Sequence, residues 1–153
     1  MKGRLTLDNS FDELPRLIDL VNRFADHCPL NSYEIKTLNL ALEEFVTNVI
    51  KYAHGPESQW PIQVKYDCQQ DLLSVVIEDF GDEFNPLKAE TPPFEQNIEK
   101  LKIGGLGIYL VRQLIKDIQY ERRDGKNVLT INIKPGTMQP GLKACCTGEA
   151  GRS

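Results

Sequence analysis

The sequence predicts an α+β domain in two layers, with helices on one face of a mostly antiparallel sheet. Three observations carry this: a pair of amphipathic helices near the N-terminus, two or three strands followed later by a hairpin, and a run of glycines, Gly104-Gly105-Leu106-Gly107, opening a further helix. The 153 residues suit one domain, and a hydrophobic content of 41% excludes a disordered chain. A net charge of -4 with no basic block argues against nucleic acid as a partner. No apolar run reaches the roughly 20 residues that span a bilayer, so no membrane association is expected. Acids interrupt MKGRLTLDNSFDELP before any signal-peptide core forms, and a cytoplasmic protein is the expectation. Cys28, Cys68, Cys145 and Cys146 show no metal-ligand spacing and read as free thiols.

In chain order, residues 4–8 alternate as a short first strand. Ser10 and Glu13 have capping-box spacing, although Asp12 as the cap places Pro15 more easily. Leu14, Leu17, Ile18, Val21, Phe24 and Ala25 then mark a first helix, which Pro29 separates from the next element. Asn31 and Glu34 repeat the capping-box spacing ahead of a longer helix with Ile35, Leu38, Leu42, Phe45, Val46, Val49, Ile50 and Ala53 on one face, stopped by Gly55-Pro56. Ile62, Val64 and Tyr66 alternate as a strand, and Leu72–Asp79 reads as a more buried one. Residues 81–104 hold Gly81, Pro86, Pro92 and Pro93 with few periodic hydrophobics, the composition of a functional loop such as a lid. The glycine-led helix comes next, with Leu106, Leu110, Val111, Leu114 and Ile115 as its inner face. Ile118–Arg123 and Asn127–Lys134 pair through the Asp124-Gly125 turn. Pro135-Gly136 closes the domain, expected over residues 1–135, and the small and polar residues after it read as a disordered tail over 136–153.

Two motifs do not lead to function. Asp79-Phe80-Gly81 spells the DFG of conventional protein kinases, but their HRD and VAIK partners are absent. Gly105-Leu106-Gly107 begins a GxGxxG whose third glycine position is Leu110, which breaks the dinucleotide fingerprint.

A different set of residues carries chemistry. Glu44 and Asn48, four apart, share one face of the second helix. A carboxylate there can take a proton or orient a nucleophile, and an amide oxygen one turn later is a hard ligand of the kind magnesium accepts beside phosphate and water. Asp79 ends a buried strand and can accept from an exocyclic amine such as that of adenine, while Gly81 lets a base approach the backbone. The glycines at 104, 105 and 107 place free N–H groups and a positive dipole end where phosphate binds. Taken singly, each also fits a plainer origin: solvated helix residues, a strand-ending turn, a loop-to-helix junction.

In register, the stretches EEFVTNVIKYAHG (Glu43–Gly55), EDFGDEFNP (Glu78–Pro86), GGLGIYLV (Gly104–Val111) and YERRDGKNVLTINI (Tyr120–Ile133) resemble the GHKL, or Bergerat-type, ATP-binding family. The likeness is strongest to its anti-sigma factor serine/threonine kinases of the RsbW/SpoIIAB type. The resemblance implies the two-layer α/β sandwich of histidine-kinase-like ATPases, with ATP and Mg2+ as cofactors. It implies Glu44 as the catalytic carboxylate and Asn48 as the metal ligand. Asp79 and Gly81 hold adenine, Gly104, Gly105, Leu106 and Gly107 cradle phosphates, and Thr130 helps at the adenine end. Lys51, Tyr52 and Phe84 complete the nucleotide site, Tyr52 standing where the family often has His and Asn85 where Asp is common. Such relatives phosphorylate a small antagonist protein on Ser or Thr, bind a sigma factor, and are homodimers; Arg16 lies where they place a partner-contacting arginine. A nucleotide-dependent sequestering module without kinase activity is the alternative.

Overall fold

The computed structural model describes residues 1–53, 60–88 and 105–141. Five strands, β1 (Lys2–Leu7), β2 (Ile62–Cys68), β3 (Leu73–Asp79), β4 (Asp117–Arg123) and β5 (Lys126–Ile133), form one sheet in the order β1-β2-β3-β5-β4. Every neighbouring pair is antiparallel. The helices are α1 (Leu14–His27), α2 (Ser32–Asn48) and α3 (Gly105–Leu114). Leu17, Leu20, Val21 and Phe24 of α1 and Leu38, Ala41, Leu42, Phe45 and Val46 of α2 are buried in one core with Ile62, Val64, Leu73, Val75, Ile77, Leu129, Ile131 and Ile133 of the sheet. Alternate strand residues point away from the helices, and that second face carries Lys65, Glu78 and Lys126, with the Lys65 ammonium 2.7 Å from Glu78.

Local chemistry accounts for the element ends, with some revisions. Asn31 caps α2 in a complete capping box: its Oδ1 accepts from the Glu34 N–H, and Glu34 Oε2 accepts from the Asn31 N–H, each at 2.9 Å. Ser10 does cap, but it caps a single 3-10 turn, Phe11–Glu13, and α1 starts after it with Pro15 in its first turn. The last turn of α2 widens into a π-turn, Val49–Ala53. In α3 the inward residues are Ile108 and Val111, joined by Ile115 just past its end, so Leu106 and Leu110, expected inside, face outward. Residues 89–104, most of the expected lid, lie outside the described residues.

One further expectation is corrected. Cys28 and Cys68 are not free thiols: they form a disulfide, with Cα atoms 6.2 Å apart. The end of α1 and the end of β2 meet only in the tertiary fold, where Met1 also docks, its carbonyl accepting from the Cys68 N–H at 2.7 Å. Cys145 and Cys146 lie outside the described residues. Just past residue 136 Met138 is bonded to α2 and its cap, and residues 142–153 of the expected tail lie outside the described residues. The Met138 N–H donates to Glu34 Oε1 at 3.1 Å and its carbonyl accepts from Asn31 Nδ2 at 2.9 Å, because the capping box has polar valences left for a passing backbone.

Candidate functional site

The site lies where the C-terminal end of α2, the end of β3 and the start of the β4–β5 pair converge. A narrow cleft of about 320 Å³ there is lined by Phe45, Asn48, Val49, Ile77, Asp79, Phe84, Pro86, Tyr120, Asn127 and Leu129. Its apolar walls suit a flat ring, and its polar groups come from four different elements.

Helix α2 supplies Glu44 and Asn48 from one face. Asn48 is 4% exposed, and its Nδ2 has no hydrogen-bond partner among the described residues. Leaving such a group unpaired costs about 1–3 kcal/mol, a cost that a ligand or water removes. A half-turn of the amide presents oxygen to the same spot, so Asn48 fits a divalent cation completed by phosphate oxygens and water. Among the described residues no group of three His, Cys, Asp or Glu side chains converges to hold a metal on its own. Glu44 lies against α3: a Cβ added to Gly107 would fall on its carboxylate. Burial pushes the Glu44 carboxyl above its ordinary 4.5; the Lys51 ammonium opposes the shift and Glu43 adds to it. A carboxyl held toward neutrality beside a helix N-terminus suits proton transfer. Lys51 and Tyr52 leave the π-turn exposed, and the Tyr52 ring packs on Phe84 with centroids 5.7 Å apart.

The other end of the cleft centres on Asp79, which is 2% exposed. Its Oδ1 accepts from the Gly81 N–H and from Asn127 Nδ2, each at 2.9 Å. Gly81 is required by close approach: a Cβ there would lie 2.6 Å from the Ala53 carbonyl carbon. The Asp82 N–H donates to the same Ala53 carbonyl at 2.9 Å, and Arg122 Nη1 donates to the Gly81 carbonyl at 2.7 Å. Asn85 Oδ1 accepts from the Leu87 N–H at 2.9 Å and so caps the short 3-10 turn Pro86–Lys88.

The expected residues thus fall into three groups. Asn48, Asp79 and Phe84 line the cleft, Gly81 is bonded to Asp79, Tyr52 packs on Phe84, and Glu44 lies one helical turn from Asn48 against Gly107, close enough to Lys51 to feel its charge. Gly105 and Leu106 stand in the first turn of α3, and Gly104 lies outside the described residues. Thr130 is placed elsewhere. It pairs with Val76 in the register that puts Leu129 and Asn127 inward, so its side chain is on the sheet face away from the helices. Asn127 occupies the corresponding inward place and was missed. The available signal was an amide at an inward position of a strand whose other inward residues are Leu129, Ile131 and Ile133. Tyr120, also missed, donates its hydroxyl to Asn127 Oδ1 at 2.7 Å.

A family model described as a histidine kinase-like ATPase domain matches residues 7–133. Among curated relatives, the serine-protein kinase RsbW of Listeria innocua is 35% identical over 103 residues, covering 64% of this chain and 66% of the relative. RsbW of Oceanobacillus iheyensis is 30% identical over 103 residues, covering 64% and 65%. The serine/threonine-protein kinase BtrW of Bordetella bronchiseptica is 30% identical over 95 residues, covering 62% and 67%. The chain thus spans 65–66% of the length of the two RsbW relatives it matches. A crystal structure of the RsbU and RsbW domains of a Mycobacterium tuberculosis protein shares the fold, with TM-score 0.62 at 12% identity, over 88% of this chain and 32% of that one.

Proposed function

As the chain belongs to the histidine kinase-like ATPase domain family, we propose that it is an ATP-dependent serine/threonine protein kinase acting as an anti-sigma regulatory factor. It phosphorylates a small antagonist protein and sequesters a sigma factor, as a cytoplasmic homodimer. The names of its relatives support the kinase reading. The observation that carries it is the meeting of Glu44 with Gly107 at the N-terminus of α3, one helical turn from the buried Asn48, whose Nδ2 has no partner among the described residues.

The residues divide the work. Asp79 accepts from the exocyclic amine of adenine, Gly81 admits the ring edge, and Phe84 and Tyr52 cover it. The N–H groups of Gly105 to Gly107 at the N-terminus of α3 face the phosphates, with Lys51 adding charge. Mg2+ held by Asn48 would supply positive charge against the phosphate oxygens. Glu44 takes the proton of the attacking Ser or Thr hydroxyl as its oxygen bonds the γ-phosphorus and ADP leaves. Arg16, held at 2.6 Å by Glu13 on an exposed surface of α1, faces the partner protein. Among the described residues no helix is long and apolar enough to cross a membrane.

Thermal melts with Mg-ATP test the binding. A ligand at 100 times its Kd stabilises the native state by about 2.7 kcal/mol, and an unchanged melt with silent calorimetry would reject the proposal. Labelled ATP and a candidate antagonist then test transfer. Tight binding with no phosphoserine or phosphothreonine on any antagonist favours the sequestering module.

A further inference from the structure

Asn127 is the one amide on the inward face of β5, and it is 5% exposed. The large majority of polar side-chain atoms so buried are hydrogen-bonded. An asparagine side chain offers two acceptor positions and two donors, and here all four are taken. Oδ1 accepts from the Phe84 N–H at 3.1 Å and from the Tyr120 hydroxyl at 2.7 Å. Nδ2 donates to Asp79 Oδ1 at 2.9 Å and to the Asp82 carbonyl at 2.8 Å. The side chain lines the cleft yet has no valence left for a ligand.

What those four bonds join decides what the residue does. Asp79 Oδ1 is gripped from two sides, by the Gly81 N–H and by Asn127. That fixes the plane of the carboxylate and the direction of its second oxygen. The Asp82 carbonyl and the Phe84 N–H bracket residue 83, and both end on the same amide, so the Phe84 wall of the cleft is set by it too. The Phe84 N–H can only donate and the Asp82 carbonyl can only accept, so these two fix which end of the amide is oxygen, and the Tyr120 hydroxyl donates to that oxygen. With Asn127 removed, the Asp79 carboxylate loses the bond that holds Oδ1 toward β5, and the 82–84 backbone loses the two bonds that end on this amide.

We propose that Asn127 is a positioning residue for base selection: without touching the nucleotide, it aims Asp79 so that the site distinguishes a 6-amino purine from a 6-oxo purine. The proposal rests on the nucleotide-binding reading above. A 6-amino group offers a donor to a fixed acceptor, whereas a 6-oxo group opposes it with a second acceptor. That difference discriminates only while the acceptor cannot turn away.

The test is the ratio of Mg-ATP to Mg-GTP affinity, measured by calorimetry on the full chain for the wild type, Asn127→Ala, Tyr120→Phe and Asp79→Asn. Asn127→Ala should lower the ATP preference about tenfold, through loss of ATP affinity with little change for GTP, since one bond to a buried acceptor is lost. Tyr120→Phe should move the ratio the same way by less. A folded Asn127→Ala with the wild-type ratio, or with parallel losses for both nucleotides, overturns the proposal. If Asn127→Ala does not fold, an unchanged ratio in Tyr120→Phe overturns it instead. Should Asp79→Asn lose the preference while Asn127→Ala keeps it, only this inference falls. A wild type that binds neither nucleotide removes the underlying reading as well.

Discussion

Two glycines of the site should respond to alanine in opposite ways, because different atoms stand where the new methyl would go. At Gly81 the Cβ would lie 2.6 Å from the Ala53 carbonyl carbon and 2.9 Å from the Ala53 Cβ. Neither can yield, since that carbonyl also accepts from the Asp82 N–H at 2.9 Å. The turn must therefore separate from the end of α2. Overpacking of this kind costs about 1–3 kcal/mol, and each backbone bond strained or lost adds about 1 kcal/mol. Gly81→Ala should thus lose about 2–4 kcal/mol, or roughly 5–15 °C in Tm for a domain of this size. At Gly107 the three atoms nearest the new Cβ all belong to the Glu44 carboxylate, the far end of a flexible side chain. That carboxylate can swing away, and alanine is the better helix former by up to about 1 kcal/mol, so Gly107→Ala should unfold no earlier than the wild type. Its cost falls on chemistry: with Glu44 displaced, phosphoryl transfer should drop by about the 100- to 10,000-fold that a general base contributes. Urea denaturation and a transfer assay on both variants measure the contrast. An unchanged midpoint for Gly81→Ala, or a lowered one for Gly107→Ala, would refute the packing argument.

The same geometry sets three further outcomes. Glu44→Gln should slow transfer by about 100- to 10,000-fold with little change in nucleotide affinity; wild-type rates in this variant would remove Glu44 from the chemistry. Because burial holds the Glu44 carboxyl above 4.5, folding favours its neutral form more than the unfolded chain does. Its contribution to stability is present below the ordinary pKa and is lost as pH rises through the raised one, so Glu44→Gln should gain on the wild type at pH 7 and not at pH 4. Asn48→Ala should abolish the magnesium-dependent part of ATP affinity while costing little stability, since the amide it removes has an unpartnered Nδ2; nucleotide titrations with and without the metal read this directly, and an intact magnesium dependence counts against the ligand role. Peptide mass spectrometry of unreduced, alkylated protein should recover Cys28 and Cys68 as one linked species, and two free alkylated thiols would overturn the pairing.

What was legible in the sequence was what short-range chemistry dictates. The Asn31/Glu34 capping box, the alternation of β2 and β3 and the Asp124-Gly125 turn all signal within a few residues, and each is realised. So is the spacing that puts Glu44 and Asn48 on one face. The misses are of another kind. Thr130 and Asn127 differ in parity, and a strand's parity is fixed by which neighbour it pairs with, here the register of β5 against β3. The Cys28–Cys68 pair joins residues 40 apart in sequence, at a meeting of elements that no local spacing marks. The docking of Met138 depends on valences left over by a cap more than a hundred residues earlier. Leu106 and Leu110 lie on one helical stripe, but Ile108, Val111 and Ile115 form the competing one that reaches the core.

The π-turn at the end of α2 explains how the two ends of the proposed site belong to one rigid unit. Regular α-helical geometry would carry the chain on past Asn48 with the same rise and rotation, whereas an i→i+5 turn accommodates an extra residue and re-aims the backbone beyond it. The residue re-aimed here is Ala53, whose carbonyl accepts the Asp82 N–H and against which Gly81 packs without a Cβ. The helix that presents Glu44 and Asn48 is thereby joined to the turn that presents Asp79, with no intervening side chain to flex. Asn127 then ties that same turn to β5, and Arg122 ties it to β4. A shift at the metal end therefore has a backbone route to the base end. On this reading, base selectivity and magnesium dependence are coupled through Ala53 and Gly81, and substitutions that loosen that contact should weaken both together.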